Sequence, residues 1–173
     1  MGTALATQAA LLCHFPNFSA KNKIRTTITF IDDHAKVEAD YYTGRFATLF
    51  ELCRHRIVIC DNKYKTDSLQ NNSPANRVGY RLDMPFFDPM SETDNNGTGK
   101  YDYLLGSQDT KRESFLDIEW EFIQGNIASH EIQNYITDIA KDKTKTTTIA
   151  ICFNNSQQSI ASAMYLPAET YKE

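Results

Sequence analysis

Residues 118–166 decide the predicted fold, and they read IEWEFIQGNIASHEIQNYITDIAKDKTKTTTIAICFNNSQQSIASAMYL. Residues 118–123 alternate apolar and acidic side chains, which is the period of a β-strand with one polar face or one exposed edge. Residues 146–153 are an uncharged, β-branched run that is typical of a strand buried on both faces of a parallel sheet. With a helix predicted after each strand, the segment is a strand–helix–strand–helix unit.

The helix between these two strands has the clearest periodicity. Ser129 is its predicted N-cap, and Glu131 lies near the positive end of the helix dipole. Its predicted buried stripe consists of Ile132, Tyr135, Ile136, Ile139 and Ala140. Ser156 is predicted to cap the last helix, which should end near Leu166 because Pro167 disfavours a helical residue before it.

The first 60 residues show the same alternation of helices and strands. Asp33 is a predicted N-cap for the longer of the two helices, and strands that alternate with helices indicate one α/β domain with a parallel sheet, three layers and right-handed crossovers. The predicted order is a helix over 4–14, a strand over 24–31, a helix over 35–54 and a strand over 56–60.

Residues 61–114 interrupt the alternation and form a predicted insertion. They are rich in Asn, Ser, Asp, Gly and Pro and lack periodicity, which is typical of a functional insertion or a partly disordered segment. The DNNGTG tip at residues 94–99 is the part that we expect to be least ordered. Pro85, Phe86 and Phe87 are expected to hold the insertion against the domain, and residues 115–173 form the second α/β part.

Composition excludes several classes of protein. The formal net charge is −4, with scattered Lys and Arg, so nucleic acid is not an expected partner. The chain has no apolar run of 18 residues, and its first residues lack the basic start of a secretory signal, so we expect no membrane insertion and a cytoplasmic location. Four dispersed cysteines predict reduced thiols and no metal site: Cys13, Cys53, Cys60 and Cys152.

No sequence motif indicates catalysis. The chain has no G-x-S-x-G, H-E-x-x-H or G-x-x-x-x-G-K-[ST] pattern, and its histidines have no carboxylate or nucleophile partner that is visible in the sequence. Arg45 and Arg54, on the predicted long helix, could reach a phosphate, although a solvated helix face is the simpler explanation for them. We assign no catalytic residue and expect a binding protein rather than an enzyme.

Three short stretches resemble a known family. Residues 121–166 are similar to the later half of the TrkA-N or RCK-type (KTN) NAD-binding domain of bacterial potassium-transport regulators, with Gly125-Asn126 where the family has Gly-Asp. MGTALA at residues 1–6 resembles the end of a glycine-rich dinucleotide loop, with Gly2 in the place of the last glycine. FIDD at residues 30–33 resembles the acidic end of the second strand of such a domain.

The resemblance implies a Rossmann-like sheet that is incomplete at its N-terminus, with NAD or another adenine nucleotide as cofactor. Asp32, or alternatively Asp33, would accept hydrogen bonds from the adenosine ribose. Short polar residues are also the usual turn and cap residues at strand–helix junctions, and this alternative stays open. The complete predicted site is Gly2, Thr3, Asp32, Asp33, Gly125, Asn126 and Asn154.

Three functions follow as hypotheses. The first is a regulatory NAD(H)-type domain that passes its occupancy to an attached transport or effector domain, in ion transport or ligand sensing. The others are a fragment of an NAD(P)-dependent oxidoreductase and a degenerate, purely structural Rossmann domain. The chain also resembles an internal piece of larger Bacteroidetes-type proteins, some of which carry ryanodine-receptor-type repeats.

Two further expectations come from the same resemblance. The strand and the first two glycines that precede MGTALA in the family are absent, so we expect weak dinucleotide binding. Removal of a central strand exposes the edges of its neighbours, so we also expect a homo-oligomer or a strand exchanged between copies.

Overall fold

The computed structural model describes residues 2–14, 18–19, 24–58, 85–100, 102, 113–114 and 116–171. The chain alternates between helices and strands in the order that the sequence predicts as far as the third strand. The main elements are α1 (Gly2–Leu12), β1 (Thr26–Asp32), α2 (Ala35–Arg45), α3 (Ala47–Phe50), β2 (Arg54–Val58), β3 (Ile118–Gln124), α4 (His130–Lys141) and α5 (Ser156–Met164). Two 3-10 helices complete the set, at Pro89–Ser91 and Ala168–Tyr171.

The sheet has three parallel strands in the order β1-β3-β2. β3 is the central strand, with Thr26 opposite Ile118 on one side and Arg54 opposite Glu119 on the other. The predicted α/β fold with an open parallel sheet is therefore confirmed. Both edges of β3 are occupied by its neighbours, which leaves the outer edges of β1 and β2 as the edges of the sheet.

One face of the sheet packs against α1, α2 and α3 through aromatic side chains. Trp120 and Phe122 alternate along β3 and are fully buried there. The ring of Phe122 stacks on Phe30 of β1 at 5.2 Å, and Trp120 lies 5.5 Å from Tyr42 of α2. α2 carries small residues where it faces the sheet, which allows the helix to approach closely and to bring the aromatic ring of Tyr42 into the core.

The opposite face packs against α4. Ile123 of β3 and Val58 of β2 form a second buried cluster with Ile132 and Ile136 of α4. Helices therefore lie on both faces of the sheet, which confirms the three predicted layers. Ser129 caps α4 as predicted, because its side-chain oxygen accepts a hydrogen bond from the backbone N–H of Ile132.

The long helix predicted over 35–54 is wrong in its second half. The chain leaves helical geometry at Phe46, with φ −119° and ψ 43°, and a short α3 follows. This break lets Phe46, Phe50 and Cys53 reach the same aromatic core, so tertiary packing outweighs helical periodicity here. Arg54 consequently belongs to β2 and not to a helix.

The strand predicted over residues 146–153 is also wrong. These residues form no strand, and residues 146–150 are all exposed. A strand is defined by the pairing of its backbone, and no hydrogen bond joins the backbone of these residues to the three described strands of the sheet. β-branched composition alone therefore did not place this segment in the sheet.

Two predicted helix caps are corrected by one residue. His34 stands at the N-cap of α2 without a side-chain hydrogen bond, while Asp33 precedes it. Asn155 caps α5 through its side-chain oxygen, which accepts from the backbone N–H of Gln157 at 2.8 Å, and Ser156 is the first helical residue. The neighbouring polar residues in each turn compete for the same cap, and the sequence does not choose between them.

The described part of the insertion is ordered by local hydrogen bonds and by β2. Phe87 exchanges backbone hydrogen bonds of 2.8 and 3.0 Å with His55, which agrees with the prediction that this segment holds the insertion. Asp94 accepts from the backbone N–H groups of Asn96 and Thr98 within the tip at residues 94–99, and the expected low order of this tip stays a prediction. Residues 59–84 and 103–112 lie outside the described residues, as does Cys60.

Among the described helices, none is both long enough and apolar enough to cross a bilayer.

Candidate functional site

Four of the predicted site residues lie together at the carboxyl ends of β1 and β3. The backbone N–H of Gly125 donates to the carbonyl oxygen of Asp32 at 3.0 Å. The side-chain amide of Asn126 donates to a carboxylate oxygen of Asp33 at 3.4 Å. The ends of two adjacent parallel strands are therefore joined by predicted site residues, at the edge where open α/β sheets bind ligands.

The two aspartates at the end of β1 have different surroundings. The carboxylate of Asp32 accepts from the backbone N–H of His34 at 2.7 Å, and the His34 ring nitrogen lies 3.7 Å from the same oxygen. Asp32 thus stabilises the turn into α2, which is the structural role left open by the sequence. The exposed Asp33 faces Asn126 across the strand ends, so Asp33 is the better placed of the two for a ligand.

Asn126 forms hydrogen bonds within its own loop in addition to the one with Asp33. Its side-chain oxygen accepts from the backbone N–H of Ala128 at 2.9 Å, and its carbonyl oxygen accepts from the backbone N–H of Ser129 at 2.9 Å. An amide serves both contacts because it donates to Asp33 and accepts from the backbone at the same time. A carboxylate at position 126 would repel Asp33, so a neutral amide suits this position.

α1 ends at the amino edge of the sheet, where the hydroxyl of Thr26 at the start of β1 donates to the carbonyl oxygen of Cys13. From there Ala10 and Ala6 pack into the aromatic core, so the helix crosses this face of the sheet toward its first residue, Gly2. A Cβ atom on Gly2 would lie 3.2 Å from the Cβ of Cys152, so a larger residue would crowd this approach. The side chain of Thr3 lies outside the described residues.

Asn154 is exposed in the bend before α5. Among the described residues, no hydrogen bond joins it to Asp33 or Asn126. The structure thus brings four predicted residues together, places Gly2 beside Cys152, and links Asn154 to the group by no described hydrogen bond.

A polar ladder crosses the other face of the sheet, and sequence reasoning missed it. Glu121 is 1% exposed and accepts hydrogen bonds from Thr29 of β1 at 2.8 Å, from Arg56 Nε of β2 at 2.7 Å and from the hydroxyl of Tyr135 on α4. One row away, Glu119 accepts from Thr27 at 2.9 Å and pairs with Arg54 at 3.2 Å. We call these two rows the glutamate ladder.

The glutamate ladder connects the candidate site to the insertion. Tyr135 ties α4, which begins just after the Asn126 loop, to Glu121; burial and then the charge of Glu121 raise the pKa of the Tyr135 phenol above its usual range. The ring of Phe86 covers the guanidinium of Arg56 at 4.4 Å and that of Arg54 at 5.3 Å. The alternating charges of β2 and β3 in the sequence indicate these two rows. The predicted helix over 35–54 includes Arg54, which hides this pattern in β2.

Two histidines have carboxylate partners that the sequence did not show. His14 Nδ1 lies 2.9 Å from both carboxylate oxygens of Asp117, which is 103 residues away in the chain. This pair joins the end of α1 to the start of β3, at the amino edge and therefore away from Asp33 and Asn126. His34 lies beside Asp32, as described above.

The described cysteines, Cys13, Cys53 and Cys152, are free thiols. Burial raises the pKa of the Cys53 thiol to about 12, so this cysteine stays protonated in the aromatic core. Among the residues that the structure describes, no group of three or more His, Cys, Asp or Glu side chains is arranged to hold a metal ion.

Comparisons of the chain with models of protein families, with curated proteins and with solved structures found no match. The resemblance carried by residues 1–6, 30–33 and 121–166 therefore stays a prediction, and the functional argument rests on the geometry of the site.

Proposed function

We propose that this chain is a regulatory nucleotide-binding module that takes NAD(H) or another adenine nucleotide at the carboxyl edge of its sheet. The observation that carries the proposal is the contact of Asp33 with Asn126, which joins the ends of two adjacent parallel strands. Open α/β sheets bind their ligands outside these strand ends, in the crevice between neighbouring loops.

The polar groups at this edge suit a ribose. A carboxylate accepts hydrogen bonds from two neighbouring hydroxyl groups, and Asp33 is exposed at the strand end. The ribose hydroxyl groups would replace the amide of Asn126 as hydrogen-bond donors to Asp33. The amide of Asn126 could then donate to another oxygen of the ligand. The 3.4 Å separation of the two side chains is long for a hydrogen bond, so a ligand would displace a weak contact.

The N-terminus of α1 supplies the complementary charge. Its unpaired backbone N–H groups carry partial positive charge, which favours phosphate, while Asp32 and Asp33 would repel phosphate. A bound dinucleotide would therefore turn its ribose toward β1 and its phosphates toward Gly2. The close approach of Gly2 to Cys152 limits the space at this helix end, which agrees with the expected weak binding.

A regulatory role fits the connections of the site better than catalysis. The carboxyl edge, in its described part, combines carboxylates and amides without a nucleophile that is paired with a base. α4 starts at the Asn126 loop and is bound to all three strands through Tyr135 and Glu121. A ligand that moves this loop would act on the glutamate ladder, and we propose an attached transport or effector domain as the receiver.

Nuclear magnetic resonance titration tests the proposal and detects weak binding. On addition of NADH, ADP-ribose or ATP, we expect the backbone amide signals of residues 32–33 and 125–129 to shift together. Asp33→Asn should weaken binding by about tenfold or more, since it removes one charge-assisted acceptor. Asp138→Asn, the same change on the exposed face of α4, is the matched control and should bind like the wild type.

The proposal fails if the amides of residues 32–33 and 125–129 stay unshifted at millimolar nucleotide, or if Asp33→Asn and Asp138→Asn bind alike. In either case the turn role of Asp32 would account for this edge.

A further inference from the structure

Residues 146–153, TTTIAICF, have the composition of a strand and no strand to pair with. We call them the unpaired run. No hydrogen bond joins their backbone to any other part of the chain that the structure describes. The exposed residues of the run, 146–150 and 153, therefore leave their backbone N–H and C=O groups without a partner in the described chain, and such an edge is a template for pairing with another strand.

The two faces of the unpaired run differ in size. The odd positions hold most of its apolar bulk, namely Thr147, Ile149, Ile151 and Phe153, and the even positions hold Thr146, Thr148, Ala150 and Cys152. Thr147 and Ile149 also line a cleft of about 330 Å³ with Leu166 and Tyr171, at the C-terminal end of α4. A strand added beside the run would bury the large odd-numbered side chains on one face.

We propose that the unpaired run is the contact between two copies of this chain, paired as antiparallel strands around a twofold axis at Ala150. In this register Ile149 of one copy lies opposite Ile151 of the other, and Thr147 lies opposite Phe153. The large apolar residues of both copies then share one face of the ribbon, and cross-strand pairs of this kind stabilise an antiparallel ladder. A twofold axis uses the same surface of both copies and closes the assembly at a dimer.

The charges beside the unpaired run are compatible with pairing of two copies in the antiparallel direction and oppose the parallel direction. Lys143 and Lys145 precede the run, and the uncharged Asn154 and Asn155 follow it. Antiparallel pairing places Lys145 of one copy opposite Asn155 of the other. Parallel pairing in register would place each lysine beside the same lysine of the other chain, and like charges that lie opposite are destabilising.

Dimer mass tests the contact. Light scattering of the wild-type chain should give twice the chain mass of 19.7 kDa, and Ile149→Lys should give the mass of a single chain. Ile149 is 40% exposed, so the Ile149→Lys variant should still fold as a monomer, which circular dichroism would verify. The matched control is Ile160→Lys on α5, because Ile160 is 65% exposed and lies outside the run, and this variant should remain a dimer.

Cross-linking tests the direction. With Cys13, Cys60 and Cys152 replaced by serine and Cys53 buried in the core, Ala150→Cys should form a disulfide-linked dimer under mild oxidation, because residue 150 lies opposite itself. Thr144→Cys should not, since antiparallel pairing places residue 144 opposite residue 156. Equal cross-linking of both variants would indicate parallel pairing and overturn the register.

A monomeric wild type, or a dimer that Ile149→Lys leaves intact, would overturn the proposal as a whole. Nucleotide binding is measured separately by the titration of Asp33 and Asn126, so failure of the dimer leaves the proposed function untouched.

Discussion

β3 and the unpaired run have similar strand character in the sequence and opposite fates in the structure. β3 pairs on both sides and forms the centre of the sheet, while residues 146–153 pair with nothing in the described chain. Both contain β-branched or aromatic residues with short polar turns after them. The difference teaches that composition makes a strand possible, and that side chains on the neighbouring strands decide which one enters the sheet.

β3 has matched partners on both of its faces. Trp120 and Phe122 meet the rings of Phe30 and Tyr42 on one face, and Glu121 meets Thr29 and Arg56 on the other. The unpaired run carries no charge that could select among neighbours, and its threonines and alanine offer little specific contact. The alternation of acidic residues in IEWEFI is therefore the mark of a central strand whose neighbours carry the complementary groups.

The largest expected difference between the two regions is in the stability cost of replacing a phenylalanine by alanine. Phe122 is 0% exposed, so Phe122→Ala should lower the free energy of unfolding by about 3–5 kcal/mol. Phe153 is 43% exposed, so Phe153→Ala should change it by about 0.5 kcal/mol or less in dilute, monomeric protein. Urea unfolding measures both variants, and equal losses would contradict the contrast.

The second largest expected difference is in the stability cost of neutralising the two glutamates of the ladder. Glu121→Gln leaves Arg56 and Tyr135 around a buried amide and should cost about 3 kcal/mol, as expected for a broken buried ion pair. Glu119 has a side chain that is 13% exposed and a partner in Arg54 that is more exposed still, so Glu119→Gln should cost about 1 kcal/mol or less. A smaller loss for Glu121→Gln than for Glu119→Gln would reverse the account.

Alkaline pH should lower the free energy of unfolding of the chain. Burial raises the pKa of Cys53 from 9.0 to about 12, so the folded chain keeps a proton that the unfolded chain loses. This contribution to stability is complete below pH 9 and declines as the pH rises from 9 to 12, by about 1.4 kcal/mol per pH unit at most. Tyr135 adds the same trend above pH 10, since its pKa is also raised.

Denaturant unfolding in reducing buffer across this pH range measures the decline. Cys53→Ala combined with Tyr135→Phe should flatten it, because both titrating groups are then absent. An unchanged slope in the double variant would show that other groups cause the decline.

The smallest expected difference concerns two helix caps. Ser129→Ala removes the cap of α4, which packs on the sheet, and should cost about 1 kcal/mol of global stability. Asn155→Ala removes the cap of α5, which has no buried residue, and should fray this helix with a smaller global cost. Urea unfolding and the helical circular dichroism signal distinguish the two outcomes, and a larger global loss for Asn155→Ala would contradict this order.

The sequence predicted the elements whose periodicity and packing agree. β1 and β3 lie within two residues of their predicted bounds, and α4 begins directly after its predicted cap, since each has one apolar face that the fold buries. The break at Phe46 could not be predicted from local periodicity, because it depends on the aromatic core that Phe46 and Phe50 join. Whether residues 146–153 pair depends on which strands assemble into the sheet, and their local composition does not decide this.

The candidate site was predictable in position and less so in detail. Strand ends with Asp, Gly and Asn indicated the carboxyl edge, and the structure brings Asp33 and Asn126 together there. The turn role of Asp32 and the pairing of His14 with Asp117 require knowledge of loop geometry and of contacts across 103 residues.

Hydrogen exchange of the backbone amides tests the contrast between β3 and the unpaired run most directly. The measurement uses the Ile149→Lys variant, so that dimer contacts do not contribute protection. We predict that residues 118–124 exchange slowest in the chain, through global unfolding, while residues 146–153 exchange at rates close to those of an unstructured peptide. Protection of residues 146–153 in the monomeric variant, comparable to that of residues 118–124, would contradict the account.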